Sequence, residues 1–308
     1  MARILLALAA LVTALVPLVS PWGEFVMADA MAKGFAALGI ALLLRGGLIS
    51  IGHAMFFAAG AYVVAVLQSA FGIGDFFLLI SLATLITAFF ALVVGAFMVR
   101  YRGIFFAMLN LAVSMVLYTL LAKLYNVTGG TDGMQVPPPT FLGIALGASG
   151  TALAIYYATL VLVAVAGVMV HHYLQSPLGQ ALNAVHTNEV RLEYLGIPVC
   201  GVLLTAYTIS GALAGLGGAL MGMTVGHIVP SMAYWTQSGD LVLIAVLGGI
   251  SGVAGPFAGS VFLQLVHAAA GLFTDAWNMI TGIALLLVIF FLPGGLIGLI
   301  AGRRAVAK

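Results

Sequence analysis

The chain has 308 residues, 64% hydrophobic and 6% charged, with ten basic against eight acidic side chains for a net charge of +2. A soluble domain carries roughly 25% charged residues, and no globule of this size hides so much apolar surface from water, so lipid is the solvent that fits. The weak charge, without a basic run or stripe, excludes a nucleic-acid partner, and the single cysteine, Cys200, excludes an internal disulfide framework.

A helix crossing the hydrocarbon core needs about 20 apolar residues. Apolar segments in chain order are 4–20, 28–44, 48–71, 76–99, 103–122, 150–170, 201–224, 238–249, 254–272 and 277–296. The expected fold is an all-α, polytopic transmembrane bundle of about ten membrane segments, some broken or re-entrant, forming one transmembrane domain over 1–308. Residues 4–20 read as a retained first span, because no small-x-small cleavage site precedes Pro21. The eighth segment is too short to cross alone. Gly248-Gly249 and Gly252 through Pro256 interrupt the pattern there, as Arg45-Gly46-Gly47 do before the third. Irregular backbone at membrane depth survives only inside protein or beside a watery cavity, so such breaks point to a pathway.

Ten crossings put both termini on one face with Arg3, Arg45, Arg100, Arg102, Arg191, Arg303, Arg304 and Lys308, against Lys33 and Lys123 opposite. Basic residues favour the cytoplasm, so the rich face is expected inside. Residues 123–149 then form a shaped outer loop, in which Thr128-Gly129-Gly130-Thr131-Asp132-Gly133 leads to Pro137-Pro138-Pro139. Residues 171–200 lie inside. Ser176 and Pro177 suit the N-cap and first position of a helix. Leu178, Ala181, Leu182 and Val185 share one of its faces. Asn188 can cap a second short helix with Glu189 in its first turn, and Gly196 suits its end. This pair either connects two spans or docks a cytoplasmic partner.

Few polar groups lie within the spans. His53, beside Ser50 and Gly52, is a pathway candidate or bonds a carbonyl freed by the glycine break. With His267 it is also the one pairing open to haem ligation. Asn110 and Ser114, one turn apart, line a path or bond across helices. Asp240 caps a half-helix N-terminus or senses a substrate's amino group. Gly211, Gly215, Gly218 and Gly222 mark a close helix approach, and Trp22, Trp235 and Trp277 read as interface anchors. No phosphate loop ending in Gly-Lys-Ser/Thr exists, and no lysine follows a glycine. The chain does not power transport by ATP alone, and it shows no carboxylate chain suited to proton coupling.

The stretch Ser176-Pro-Leu-Gly-Gln-Ala-Leu-Asn-Ala-Val-His-Thr-Asn-Glu189 resembles the coupling loop of branched-chain amino acid ABC transporter permeases of the LivM type. Leu48-Ile-Ser-Ile-Gly-His-Ala-Met-Phe-Phe57 with Gly60-Ala61-Tyr62, Arg102-Gly-Ile-Phe-Phe-Ala-Met108, Thr128-Gly-Gly-Thr-Asp-Gly133, Ser210-Gly-Ala-Leu-Ala-Gly-Leu-Gly-Gly-Ala219, Val246-Leu-Gly-Gly-Ile250 and Phe291-Leu-Pro-Gly-Gly-Leu296 complete the series in order. The resemblance implies a non-enzymatic permease subunit of an ATP-driven importer in the bacterial inner membrane, moving a branched-chain or other hydrophobic amino acid by alternating access. Its implied partners are a second, LivH-like permease, two cytoplasmic ATPases that bind the ATP and Mg, and a periplasmic substrate-binding protein. The chain itself is expected to hold no cofactor and no metal. Coupling to the ATPases would fall to Ser176, Pro177, Leu178, Gly179, Ala181, Leu182, Val185, Asn188, Glu189 and Gly196. The path would fall to Ser50, Gly52, His53, Asn110, Ser114 and Asp240, and binding-protein docking to Thr128, Gly129, Gly130 and Asp132. A channel or facilitator for a polar solute such as urea or an amide, working without ATP, and a membrane cytochrome subunit are the rivals.

Overall fold

The computed structural model describes residues 13, 15–17, 20–250, 252–273, 277–291 and 294–300. Most of the expected span 4–20 lies outside them. The helices are α1 (Pro21–Arg45), α2 (Ala54–Phe71), α3 (Phe76–Met98), α4 (Gly103–Lys123), a single turn α5 (Tyr125–Thr128), α6 (Gly147–Gln175), α7 (Pro177–Thr187), α8 (Glu189–Tyr194), α9 (Val199–Val225), α10 (Trp235–Gly248), α11 (Ala254–Phe273), α12 (Trp277–Phe291) and α13 (Gly295–Ile300). The sheet among the described residues is one antiparallel ladder of two-residue strands, β1 (Met134–Gln135) and β2 (His227–Ile228). Among the described residues, six helices are long and apolar enough to cross a membrane: α1, α2, α3, α4, α6 and α9. The architecture is an all-α membrane bundle, with shorter elements filling the space between these six.

Helix α1 starts seven residues before the expected 28. Ser20 accepts a hydrogen bond from the Gly23 amide at 3.1 Å and Pro21 takes the first turn, a strong start signal. Asp29 and Lys33 continue the helix as an i,i+4 ion pair at 2.9 Å. Lys33 therefore belongs inside a membrane helix and not to the outer face on which its charge was counted.

Burial divides the long helices. About 89% of the apolar stretch of α1 is covered by the rest of the chain, against 28% in α3, α4 and α6. The first is a core helix, and the other three turn side chains such as Phe89, Phe105 and Met169 outward, where lipid solvates them. Helix α9 lies at the centre against α1, α2 and α3. Its glycines make this possible. A Cβ on Gly218 would stand 1.7 Å from the Phe57 carbonyl oxygen, and one on Gly215 2.2 Å from Thr87 Oγ1. The stripe is a seam within this chain, built by close backbone approach.

The α1, α3 and α9 ends nearest residues 171–200 gather Arg45, Arg100, Arg102 and Arg191, and the 123–149 loop sits at the opposite end. Two segments depart from regular helix between these ends. Residues 46–53 replace the first turns of the expected span 48–71, with Gly47 at φ +76°. Residues 229–234 precede α10, and Ala233 accepts a hydrogen bond from Ser114 Oγ at 2.9 Å. Ser114 lies near the middle of α4, so this segment reaches well into the bundle. Helices α10 and α11 pack as the hairpin expected of a broken span, and a Cβ on Gly259 would meet the Ile244 carbonyl. The Arg45 Nε donates to the Ile250 carbonyl at 2.9 Å, tying that hairpin to the end of α1.

Candidate functional site

Five of the six path candidates meet at the two irregular segments, and all five are buried. His53 is fully enclosed. Its Nδ1 lies 3.0 Å from Ser50 Oγ and its Nε2 2.7 Å from Ser210 Oγ on α9. Both ring nitrogens are thus engaged by hydroxyls, which leaves neither to bind a haem iron. Gly52 rests on α4, where a Cβ would stand 2.2 Å from the Asn110 carbonyl. The Asn110 side chain donates to the Phe106 carbonyl at 2.9 Å and accepts from the Tyr207 hydroxyl. The amide that opens α2, at Ala54, donates to Ser238 Oγ of α10 at 2.9 Å. Ser50, Gly52, His53, Asn110 and Ser114 therefore form a polar knot that satisfies irregular backbone in a medium without water. In this conformation all five are buried and none opens onto the cleft beside them.

Asp240 lies on the other side of α10 and is exposed. It sits in the second turn of a helix whose cap residue, Tyr234, forms no side-chain cap bond. It opens into a cleft lined by Lys33 of α1, Phe57 of α2, Gln237, Leu241 and Ile244 of α10, and Leu263, Gln264 and His267 of α11. Lys33 Nζ bonds Asp29 Oδ2 at 2.9 Å and lies 3.4 Å from Gln264 Oε1. Gln264 Nε2 closes the triangle on the same carboxylate. Asp29 is 3% exposed, and its Oδ1 has no hydrogen-bond partner among the described residues. Sequence reasoning missed Asp29, Gln237 and Gln264. The signal was present, since Asp29 and Lys33 are spaced for one helix face inside an apolar run.

The 171–200 loop folds as two short helices, α7 and α8. Ser176 Oγ accepts from the Gly179 amide at 3.3 Å, and Asn188 Oδ1 from the Arg191 amide at 3.0 Å. Gly196 ends α8 at φ +78°. The apolar face of α7 turns inward: Leu182 is fully buried and Ala181 and Val185 nearly so, within the cluster that holds Leu43, Val202 and Leu203. These three residues anchor the helix, Leu182 and Val185 each contributing about 2 kcal/mol by burial, and show no face to a partner. Leu178, placed with them by periodicity, is exposed. The outward surface holds Leu178, Asn183, Val190, Tyr194 at 88% and Leu195 at 70% exposure. Glu189 does more than favour a helix start. Its carboxylate takes the Arg102 guanidinium in a fork, with Nε to Oε2 at 3.0 Å and Nη2 to Oε1 at 2.7 Å. Arg102 also donates to the Val99 carbonyl. The hydrogen bonds that Arg102 donates to Glu189 raise the Arg102 pKa above its ordinary value, and they pin α8 to the α3–α4 turn.

In the 123–149 loop Thr128 is buried, its hydroxyl donating to the Leu121 and Leu124 carbonyls at 2.6 and 2.8 Å. Gly129 and Gly130 take positive φ, and Gly130 is buried. These residues shape the loop, and Asp132 is the docking candidate that stands exposed. Among the described residues no group of three or more histidine, cysteine or acidic side chains is placed to hold a metal.

A helical bundle with broken segments at membrane depth and a polar cleft beside them has the architecture of a multi-pass membrane protein. The profile of the family described as branched-chain amino acid transport system / permease component matches residues 24–292, and the chain belongs to that family. It is 28% identical over 272 residues to the high-affinity branched-chain amino acid transport system permease protein LivM of Salmonella typhimurium and 27% identical to that of Escherichia coli K12. These matches cover 82% of this chain and 64% of either relative. The permease protein LivH of Escherichia coli K12 is 29% identical over 125 residues, 40% of each chain. No solved structure matches the chain.

Proposed function

We propose that the chain is one permease subunit of an ATP-driven importer for branched-chain or similar hydrophobic amino acids, working by alternating access in the bacterial inner membrane. Its partners are a LivH-like permease, two cytoplasmic ATPases that carry the ATP and Mg, and a periplasmic binding protein. The observation that carries this reading is the 171–200 loop. Two short helices lie across the basic end, sewn to the core by Leu182 and Val185 and clamped by Arg102–Glu189, with an apolar surface left outward. Basic residues favour the cytoplasmic side, which supports reading this surface as the ATPase dock and both termini as cytoplasmic. Support for the substrate comes from the family and its LivM relatives.

Pull-down of the tagged chain in mild detergent is expected to recover two ATPases and a second permease. Recovery of the chain alone, together with uptake that needs no ATP, would make it a facilitator. Leu182→Asp is expected to free α7 and abolish ATP-dependent uptake while the chain stays in the membrane. Tyr194→Ala, which removes only outward surface, is expected to weaken ATPase recovery without lowering thermal stability.

A further inference from the structure

Lys33 is an ammonium group about 18 Å along a helix roughly 37 Å long. From that depth no lysine reaches an interface by extending its side chain. Ionisable groups at such a place face protein or water and mark solute pathways. One oxygen of its partner, Asp29, is already shared between Lys33 and Gln264, and the other is buried without a donor among the described residues. Across the cleft Asp240 and Gln237, one turn apart on α10, are exposed, and the walls between are Phe57, Leu241, Ile244 and Leu263. A carboxylate in contact with lipid would be costly, so this side of α10 is covered by water or by protein in the membrane. The cleft therefore offers a cation on one wall, an anion on the other, amides beside both and aliphatic surface between.

We propose that this cleft holds the transported solute within this chain's part of the importer, recognising it as a zwitterion. Asp240 takes the α-ammonium, Lys33 and Gln264 take the carboxylate, and Phe57, Leu241, Ile244 and Leu263 take an apolar side chain. The inference rests on the transport function proposed above and assigns to it a site of contact within the membrane. A neutral solute such as urea leaves the Asp240 carboxylate unanswered, so the arrangement separates the amino acid from the amide.

The test uses the whole transporter in proteoliposomes with radiolabelled L-leucine and a leucine-loaded binding protein. Asp240→Asn and the paired variant Asp29→Asn/Lys33→Gln keep hydrogen bonding and remove charge. Each is expected to lower leucine uptake on the order of tenfold, as losing a hydrogen bond to a charged group does, while the binding protein still stimulates ATP hydrolysis. Uptake at the wild-type rate in both variants overturns the proposal, as does equal loss of uptake and stimulation. A second readout is independent of these variants. Gln237→Cys in a Cys200→Ala background is expected to react with a charged thiosulfonate in the assembled complex, more slowly when leucine-loaded binding protein is present. A thiol that stays unreactive shows the cleft to be a sealed subunit seam and overturns the proposal. Wild-type vesicles that take up no leucine with ATP overturn the transport function itself, an outcome distinct from failure of the variants.

Discussion

The knot around His53 and the cleft around Lys33 use the same chemistry to opposite ends. Both bring polar side chains to the middle of an apolar bundle, and both draw on α10, which gives Ser238 to one and Asp240 to the other. In the knot the named hydrogen-bonding groups find partners: His53 is held by two hydroxyls, the Asn110 side chain by the Phe106 carbonyl and the Tyr207 hydroxyl, and Ser114 and the Ala54 amide have one each. In the cleft Asp29 keeps a buried oxygen without a donor among the described residues and Asp240 is open. Satisfied polar networks rigidify a fold, and unsatisfied ones are strained until something binds. A polar residue in a membrane helix is thus not evidence of a pathway until its partners are known.

The sharpest break of this comparison is Lys33→Met. It strands the Asp29 carboxylate at 3% exposure and is expected to destabilise the protein by about 3 kcal/mol, read as lowered thermal stability in detergent. The paired variant Asp29→Asn/Lys33→Gln is expected to recover most of that stability and none of the uptake. If it recovers both, the ion pair is structural. His53→Leu comes next, since it leaves the Ser50 and Ser210 hydroxyls without their partner, at a cost of about 2 kcal/mol. His53→Asn is expected to cost less, and uptake per folded molecule is expected to survive in either. Glu189→Gln is expected to change stability by less than about 1 kcal/mol, because each side chain of the clamp is about a third exposed, but to lower ATP-driven uptake through a looser α8. Smallest is Asp132→Ala, which leaves stability unaltered and slows uptake at limiting substrate when the binding protein must dock. Unchanged uptake there would remove Asp132 from the docking surface.

The sequence made the local devices legible. The starts at Ser176-Pro177 and Asn188, the stop at Gly196 and the break after Gly248 are each written in neighbouring residues. Helix α1 begins earlier than hydropathy alone indicates, because Ser20-Pro21 starts it and Glu24 sits in its polar first turn, which an apolar window leaves out. The apolar stripe of α7 was legible, but periodicity reports only that a face is apolar and not what covers it. The Arg102–Glu189 clamp joins residues 87 positions apart, and no local pattern links them. Likewise, the knot and the cleft differ in which side of α10 each residue occupies, a matter settled by packing from α1, α2 and α11.

The bond from the Ala54 amide to Ser238 spans 184 residues, and that from His53 to Ser210 spans 157. At ribosomal speeds of about 5–20 residues per second, the first partner emerges roughly 10–40 s after Ala54 has been made. During that interval the start of α2 carries a donor and an imidazole without their final partners. The early half of the chain must therefore wait in a wet or chaperoned place, and the last step of its insertion is set by the arrival of α9 and α10.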